Sequence, residues 1–182
     1  MIQMSSKKIH YQAKIQDILE KNSIHSASVD LNLIATSEGV SIHKRPMNDS
    51  VSAALDLRDD NNPIILVNSS HSELRQRFSI GHELGHYFLD HNQGSVHVDS
   101  KILFRRKDSD KDDRRKEREA NQFAAELLMP SSWLMKELID EQGNELSFWE
   151  KEDFISELSH KYQVSVSAMA IRLEELNLMP KY

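Results

Sequence analysis

Two imidazoles stand at i and i+4 in His82-Glu83-Leu84-Gly85-His86, with a carboxylate between them. On a helix this spacing puts both rings on one face, about one turn apart, close enough to share a zinc ion. Glu83 is turned off that face by roughly 100°, so it stands beside such an ion and not on it, where it can take a proton from a zinc-bound water. The pattern reads as a zinc-dependent hydrolase, most often a peptidase. Five residues of this kind also arise by chance, and the plain alternative is a solvated helix carrying two histidines. The flanks argue against that alternative. Phe78, Ile80, Leu84, Tyr87, Phe88 and Leu89 give the motif a broad apolar flank, as expected of a helix buried in a core. Gly81 and Gly85 each cost helix stability relative to alanine, which implies that something approaches the backbone closely, as strands beside a metal site would.

A zinc ion needs at least one more protein ligand. The metzincin pattern requires Gly and then His at fixed positions beyond the second histidine, but those positions hold Leu89 and Asn92; His91 and His97 lie nearby, out of that register. The better candidate is Glu117, 31 residues after His86. A second helix fits there, closed by Pro130, with Ala120, Ala124, Ala125, Leu127 and Leu128 as a small, tightly packable face. Glu117, Ala120, Asn121 and Ala124 form one stripe, so Glu117 would reach the zinc while Asn121, one turn on, hydrogen-bonds a ligand from behind. Glu119 is the rival for the ligand role, but it points about 200° from Glu117 and off the alanine stripe. An ordinary amphipathic helix with a charged start remains the plain alternative for the segment.

The two stretches Arg77-Phe78-Ser79-Ile80-Gly81-His82-Glu83-Leu84-Gly85-His86 and Glu117 to Pro130, in this order, resemble the ImmA/IrrE family of metallopeptidases, over about residues 27 to 130. That family is similar to the gluzincins, which bind zinc through two histidines and a downstream glutamate and use a glutamate as base. The resemblance implies one zinc per chain on His82, His86 and Glu117, with Glu83 as general base. It further implies regulated cleavage of an Xre-type helix-turn-helix repressor, often in mobile elements or stress responses.

Composition agrees with a compact intracellular protein. A chain of 182 residues can bury one core of ordinary size plus an appended subdomain. There is no cysteine, so a metal must rest on histidine and carboxylate. Met1 to Ile9 holds two lysines and no apolar run, and no stretch approaches membrane-spanning length, which together point to a cytoplasmic location with no membrane partner. The net charge of −6 argues weakly against a dedicated nucleic-acid binder. Its distribution is uneven: residues 105–118 carry eight basic and five acidic groups, whereas residues 137–157 carry eight acidic groups and one lysine. Solvated surface explains both runs, and steering of a substrate is the sharper alternative.

The expected fold is α+β: a minimal zincin-like metallopeptidase domain, a small sheet plus active-site helices, over residues 1–130, followed by a C-terminal helical, helix-turn-helix-like subdomain over 131–182. Ile9, Tyr11, Ile15, Ile18 and Leu19 mark a first helix within 1–26, and Val29 to Ser37 a second that Gly39 ends. Val40 to His43, Val51 to Leu57 and Pro63 to Val67 read as strands, the last two joined by the turn-rich Asp59 to Asn62. Ser70 with Glu73 reads as a capping box that starts the zinc-binding helix. Residues 94–116 read as a long loop or mobile hairpin bordering the cleft, with Val96, Val98, Ile102 and Phe104 as strand candidates. An exposed strand edge could bind a substrate backbone in extended form.

Beyond Pro130 the pattern predicts helices over Ser131 to Glu141, from a capping box at Ser147 to Glu150, and from Val166 to Leu176, the last two joined through a tight Gln163-Val164-Ser165 connection. The final helix offers only Arg172 as a base reader or phosphate contact, so direct DNA binding is not expected. The leading expectation is a zinc endopeptidase that cleaves a partner protein to relieve repression. A zinc-stabilised co-regulator or antitoxin-like binding module without proteolysis is the alternative, and Glu83 counts against it, since a purely structural site needs no base and is closed by a fourth protein ligand. A DNA-binding regulator is the third reading.

Overall fold

The computed structural model describes residues 6–59, 61–91, 96–100, 111–140 and 148–179. Among them, helices α1 (Ser6–Lys21) and α2 (Leu31–Ser37) precede strands β1 (Ser41–Arg45), β2 (Val51–Asp56) and β3 (Ile64–Asn68); then come α3 (Glu73–Phe88), β4 (Val96–Ser100), α4 (Lys111–Leu128), α5 (Ser131–Asp140), α6 (Phe148–Tyr162) and α7 (Val166–Glu175). The fold is mixed α+β, as expected from the alternation of period-2 and period-3.6 patterns. The sheet runs in the order β1-β3-β2-β4. β1 pairs β3 in parallel, and β2 pairs both β3 and β4 antiparallel, so β1 and β4 are the edges.

α2 begins two residues later than the apolar pattern, because Asp30 is its cap: the carboxylate accepts from Asn32 N and Leu33 N at 2.9 and 3.0 Å. Gly39 follows with a φ of +73°, the conformation that a side chain resists and a helix end needs.

The start of α3 corrects the expected capping box. Ser70 does not cap the helix, since its N–H donates to Asn68 Oδ1 at 3.0 Å in a side-chain-closed turn. The chain needs two further residues to complete that turn, so the cap falls on Ser72, which makes no side-chain cap bond, and Glu73 becomes the first helical residue. Asn68 organises the approach. Wholly buried at the end of β3, it donates to the carbonyls of Met47, Asn48 and Val51 at 3.3, 3.1 and 2.8 Å and accepts from Met47 N at 3.1 Å. Gln76 then reaches back from α3 to the His71 carbonyl at 2.6 Å, and Arg75 donates to Ser52 of β2 at 2.8 Å. α3 is thereby fixed to the sheet at its first turn.

The expected long loop or mobile hairpin over 94–116 is corrected in part: its strand candidates Val96 and Val98 do lie in a strand, but a helix takes its last residues. Residues 96–100 form the edge strand β4, and α4 begins at Lys111, well before Glu117. The charges that mask its helical period are themselves at helical spacing: Arg115 pairs with Asp112 at 2.5 Å and with Glu119 at 3.2 Å, and Lys116 with Asp112 at 3.4 Å. Ile102, Phe104, Ser147, Glu141 and the side chains of His97, Val98 and Glu150 lie outside the described residues.

One continuous cluster of buried apolar side chains runs from Ile15 and Leu19 of α1 through Leu55, Ile65, Leu84, Phe123 and Leu127 to Leu158, Tyr162, Met169 and Leu173. α3 and α4 meet at its centre through small residues. A β-carbon on Gly85 would stand 3.0 Å from the Ala120 carbonyl oxygen and 3.1 Å from its Cα, so the close neighbour is helix α4 and not a strand. At Gly81 the same atom would meet Ala124 Cβ at an ordinary 3.5 Å. Gly85→Ala should therefore destabilise the protein by about 1–3 kcal/mol through overpacking against backbone, whereas Gly81→Ala should be neutral or gain up to about 1 kcal/mol in helix propensity. Urea unfolding of the two variants checks the contrast, and equal effects would refute it.

Candidate metal centre

The close α3–α4 contact brings the predicted ligands together. His82 and His86 are 2% and 0% exposed, and their Nε2 atoms lie 3.1 Å apart. Glu117 reaches across from α4: one carboxylate oxygen is 3.4 Å from His82 Nε2 and the other 3.3 Å from His86 Nε2. Ligand atoms of these three side chains all fall within 4.8 Å of one another, a cluster that could hold a metal ion. Two buried imidazole nitrogens 3.1 Å apart, with a carboxylate oxygen beside each, are satisfied by a cation among them or by a shared proton.

Asn121, one turn beyond Glu117, stands behind His82 with Oδ1 at 3.1 Å from Nδ1. Nδ1 of His82 thus has an acceptor, which leaves Nε2 as the nitrogen turned toward His86 and Glu117. Glu83 is wholly buried in α3 between the two histidines. Four of the residues singled out from spacing, His82, His86, Glu117 and Asn121, therefore meet in one cluster, and Glu83 is buried beside them in the sequence of α3.

Glu119 goes elsewhere. It is 9% exposed and faces the end of α3, where its Oε2 lies 3.4 Å from His91 Nε2; Arg115 donates to both of its oxygens at 3.3 and 3.2 Å. The other ring nitrogen of His91 is 3.2 Å from His86 Nδ1. Sequence reasoning passed over His91 because it sought ligands in a helical register, whereas this residue lies just past the helix end. Asp90, at a φ of 53°, reverses the chain, and His91 N–H donates to the His86 carbonyl at 3.1 Å. The available signal was a histidine five residues after the second histidine of the motif, at the stop of the helix. Burial holds the His91 imidazole below its ordinary value, with the Glu119 carboxylate pulling the other way. Tyr11 of α1 also hydrogen-bonds Glu119, and burial, followed by that carboxylate, raises its phenol.

No curated protein matches the chain. Among solved structures, a Mycobacterium tuberculosis transcriptional regulator is similar in fold, with a TM-score of 0.58 at 14% identity, covering 91% of this chain and 46% of that one. At that identity the likeness speaks for the fold alone, and the chain spans about half the length of that protein. The sequence profile of the IrrE N-terminal-like domain, a peptidase family, matches residues 35–174. This match takes in both the α3 motif and α4, and it continues through α6 into α7, beyond the segment that the two motifs alone delimit. On that match the chain belongs to the IrrE N-terminal-like (ImmA/IrrE) family of peptidases.

Proposed function

We propose that the chain is a zinc-dependent endopeptidase, with a zincin-like peptidase domain over residues 1–130 and a helical subdomain over 131–182. The observation that carries this reading is the convergence of the buried His82 Nε2 and His86 Nε2 with the half-buried Glu117 carboxylate between α3 and α4. The donors fit zinc: imidazole nitrogen and carboxylate oxygen are its usual ligands where thiolates are lacking. Among the described residues the group has three members, the number that a catalytic zinc site keeps when one position stays open. Zinc would supply a Lewis acid that makes water a nucleophile near neutral pH and polarises the scissile carbonyl. Glu83, beside the ligands, would take the proton of the attacking water and pass it to the departing amine nitrogen. Asn121 would hold His82 in its ligating tautomer.

The substrate we propose is an Xre-type helix-turn-helix repressor, cut in the cytoplasm to relieve repression. Family membership supports a protein substrate, and the regulator of similar fold is consistent with a role in transcription. An edge strand, β1 or β4, would take the substrate backbone in extended form. Among the described residues, no helix is long and apolar enough to cross a membrane. The helix-turn-helix-like pair α6 and α7, joined by Gln163, Val164 and Ser165, would bind the protein partner and not DNA. Arg172, the one basic residue of α7, is 4% exposed and paired with Glu126, so it is withdrawn from any phosphate.

Elemental analysis should find about one zinc per chain, with occupancy lost in His82→Ala, His86→Ala and Glu117→Ala. Wild-type protein should cleave a co-encoded Xre-type repressor, spare casein, and stop when zinc is chelated. Full zinc occupancy without cleavage of any such repressor would instead favour the co-regulator that binds and does not cut.

A further inference from the structure

His86 and Glu119 face opposite sides of His91, and the peptidase reading gives this arrangement no task. Its proton order can be worked out from both ends. A metal ion on His86 Nε2 leaves the ring proton on Nδ1, which points at His91 Nδ1 across 3.2 Å. That nitrogen of His91 must then carry the lone pair, so its proton sits on Nε2, toward the Glu119 oxygen at 3.4 Å. From the far end, Glu119 is an acceptor held by Arg115 through both oxygens. It asks for the same tautomer of His91. The neighbouring ligand has a parallel device in simpler form, since Asn121 Oδ1 stands behind His82 Nδ1 at 3.1 Å. The edge-on packing of His91 against His86, with centroids 5.1 Å apart and planes at 74°, suits an in-plane hydrogen bond from one ring and not a stack.

The geometry points to His91 and Glu119 as positioning residues that hold His86 in its metal-ligating tautomer and orientation. The inference rests on His82, His86 and Glu117 being the metal ligands. It also assigns a task to the residue that competes with Glu117 in the sequence: Glu119 serves the metal through two imidazoles. Partners of this kind behind a ligand commonly change metal affinity by about 10–100-fold.

Zinc affinity of the full chain, measured by competition with a chromogenic chelator, tests this without any substrate; thermal unfolding of each metal-free variant reads stability separately. His91→Phe keeps a ring and removes the acceptor, and is expected to bind zinc about 10–100-fold more weakly. His91→Asn sets an amide oxygen near the place of Nδ1, as Asn121 does for His82, and should recover most of that loss. Glu119→Ala should weaken zinc binding in wild-type protein and add nothing to His91→Phe, because it acts through His91. The inference is overturned if His91→Phe binds zinc as tightly as wild type, or if His91→Asn binds no better than His91→Phe, which would mean packing alone. Should His91→Phe fail to fold, unchanged zinc affinity in Glu119→Ala overturns it instead. Wild-type protein that binds no zinc would overturn the metal reading itself, a result distinct from all of these.

Discussion

Glu83→Gln is expected to retain zinc and fold while losing about 10²–10⁴-fold in the rate of repressor cleavage. The side chain is wholly buried in the middle of α3, between the two histidines, so an amide of the same shape leaves the packing undisturbed. What the amide cannot do is accept a proton from water. The loss should therefore fall on kcat with little change in KM, the mark of an interaction made only in the transition state. Single-turnover cleavage, with zinc content and thermal unfolding measured on the same preparation, separates the chemistry from the scaffold. Wild-type cleavage by this variant would remove Glu83 from the mechanism, and loss of its zinc would mean that the side chain serves the metal and not the water.

The candidate site was legible because its residues lie on two helices, where spacing converts directly into a shared face. His82 and His86 need only the i, i+4 rule, and Glu117 and Asn121 need only the stripe that they share with Ala120 and Ala124. The glycines carried less: Gly85 does mark a close approach, but by Ala120 of α4 and not by a strand, and Gly81 has only ordinary contacts. What remained hidden depends on contacts that no periodicity encodes. Val96 and Val98 were legible as strand candidates, but the partner of β4 was not, because its pairing with β2 is non-local. The first turns of α4 looked like loop because propensity was outweighed, to the eye, by a run of charges whose i, i+3 and i, i+4 pairing in fact supports the helix. Ser70 was an apparent cap defeated by Asn68, whose side chain closes a tighter turn two residues earlier. His91 reaches His86 only because Asp90 adopts a left-handed conformation, a backbone event that a non-glycine residue seldom announces.

Arg172→Ala is expected to cost about 3–5 kcal/mol in unfolding free energy, the scale for removing one partner of a buried ion pair. Arg172 and Glu126 are 4% and 6% exposed. The guanidinium binds the Glu126 carboxylate and donates through Nε to the Met129 carbonyl at 3.2 Å; Ser131 donates to the other Glu126 oxygen through N and Oγ at 3.0 and 2.8 Å. One network thus ties α7 to the α4–α5 junction, and without Arg172 the carboxylate is left buried with its charge uncompensated. Adding Glu126→Gln to Arg172→Met should recover much of the loss, because the amide oxygen still serves Ser131 while the stranded charge disappears. Urea unfolding of the single and double variants checks this, and a cost for Arg172→Ala within the range of an exposed pair, about 0–1 kcal/mol, would refute it. Metal affinity should respond differently from stability. Glu117 lies about two and a half turns of α4 before Glu126, so the folded fraction of Arg172→Ala should bind zinc as wild type does. Retained zinc with lowered stability would make the C-terminal helices a clamp on the helix that carries Glu117. Deleting α6 and α7 outright would remove Leu158, Tyr162, Met169 and Leu173 from the one continuous apolar cluster, and would report on folding before it reported on the choice of substrate.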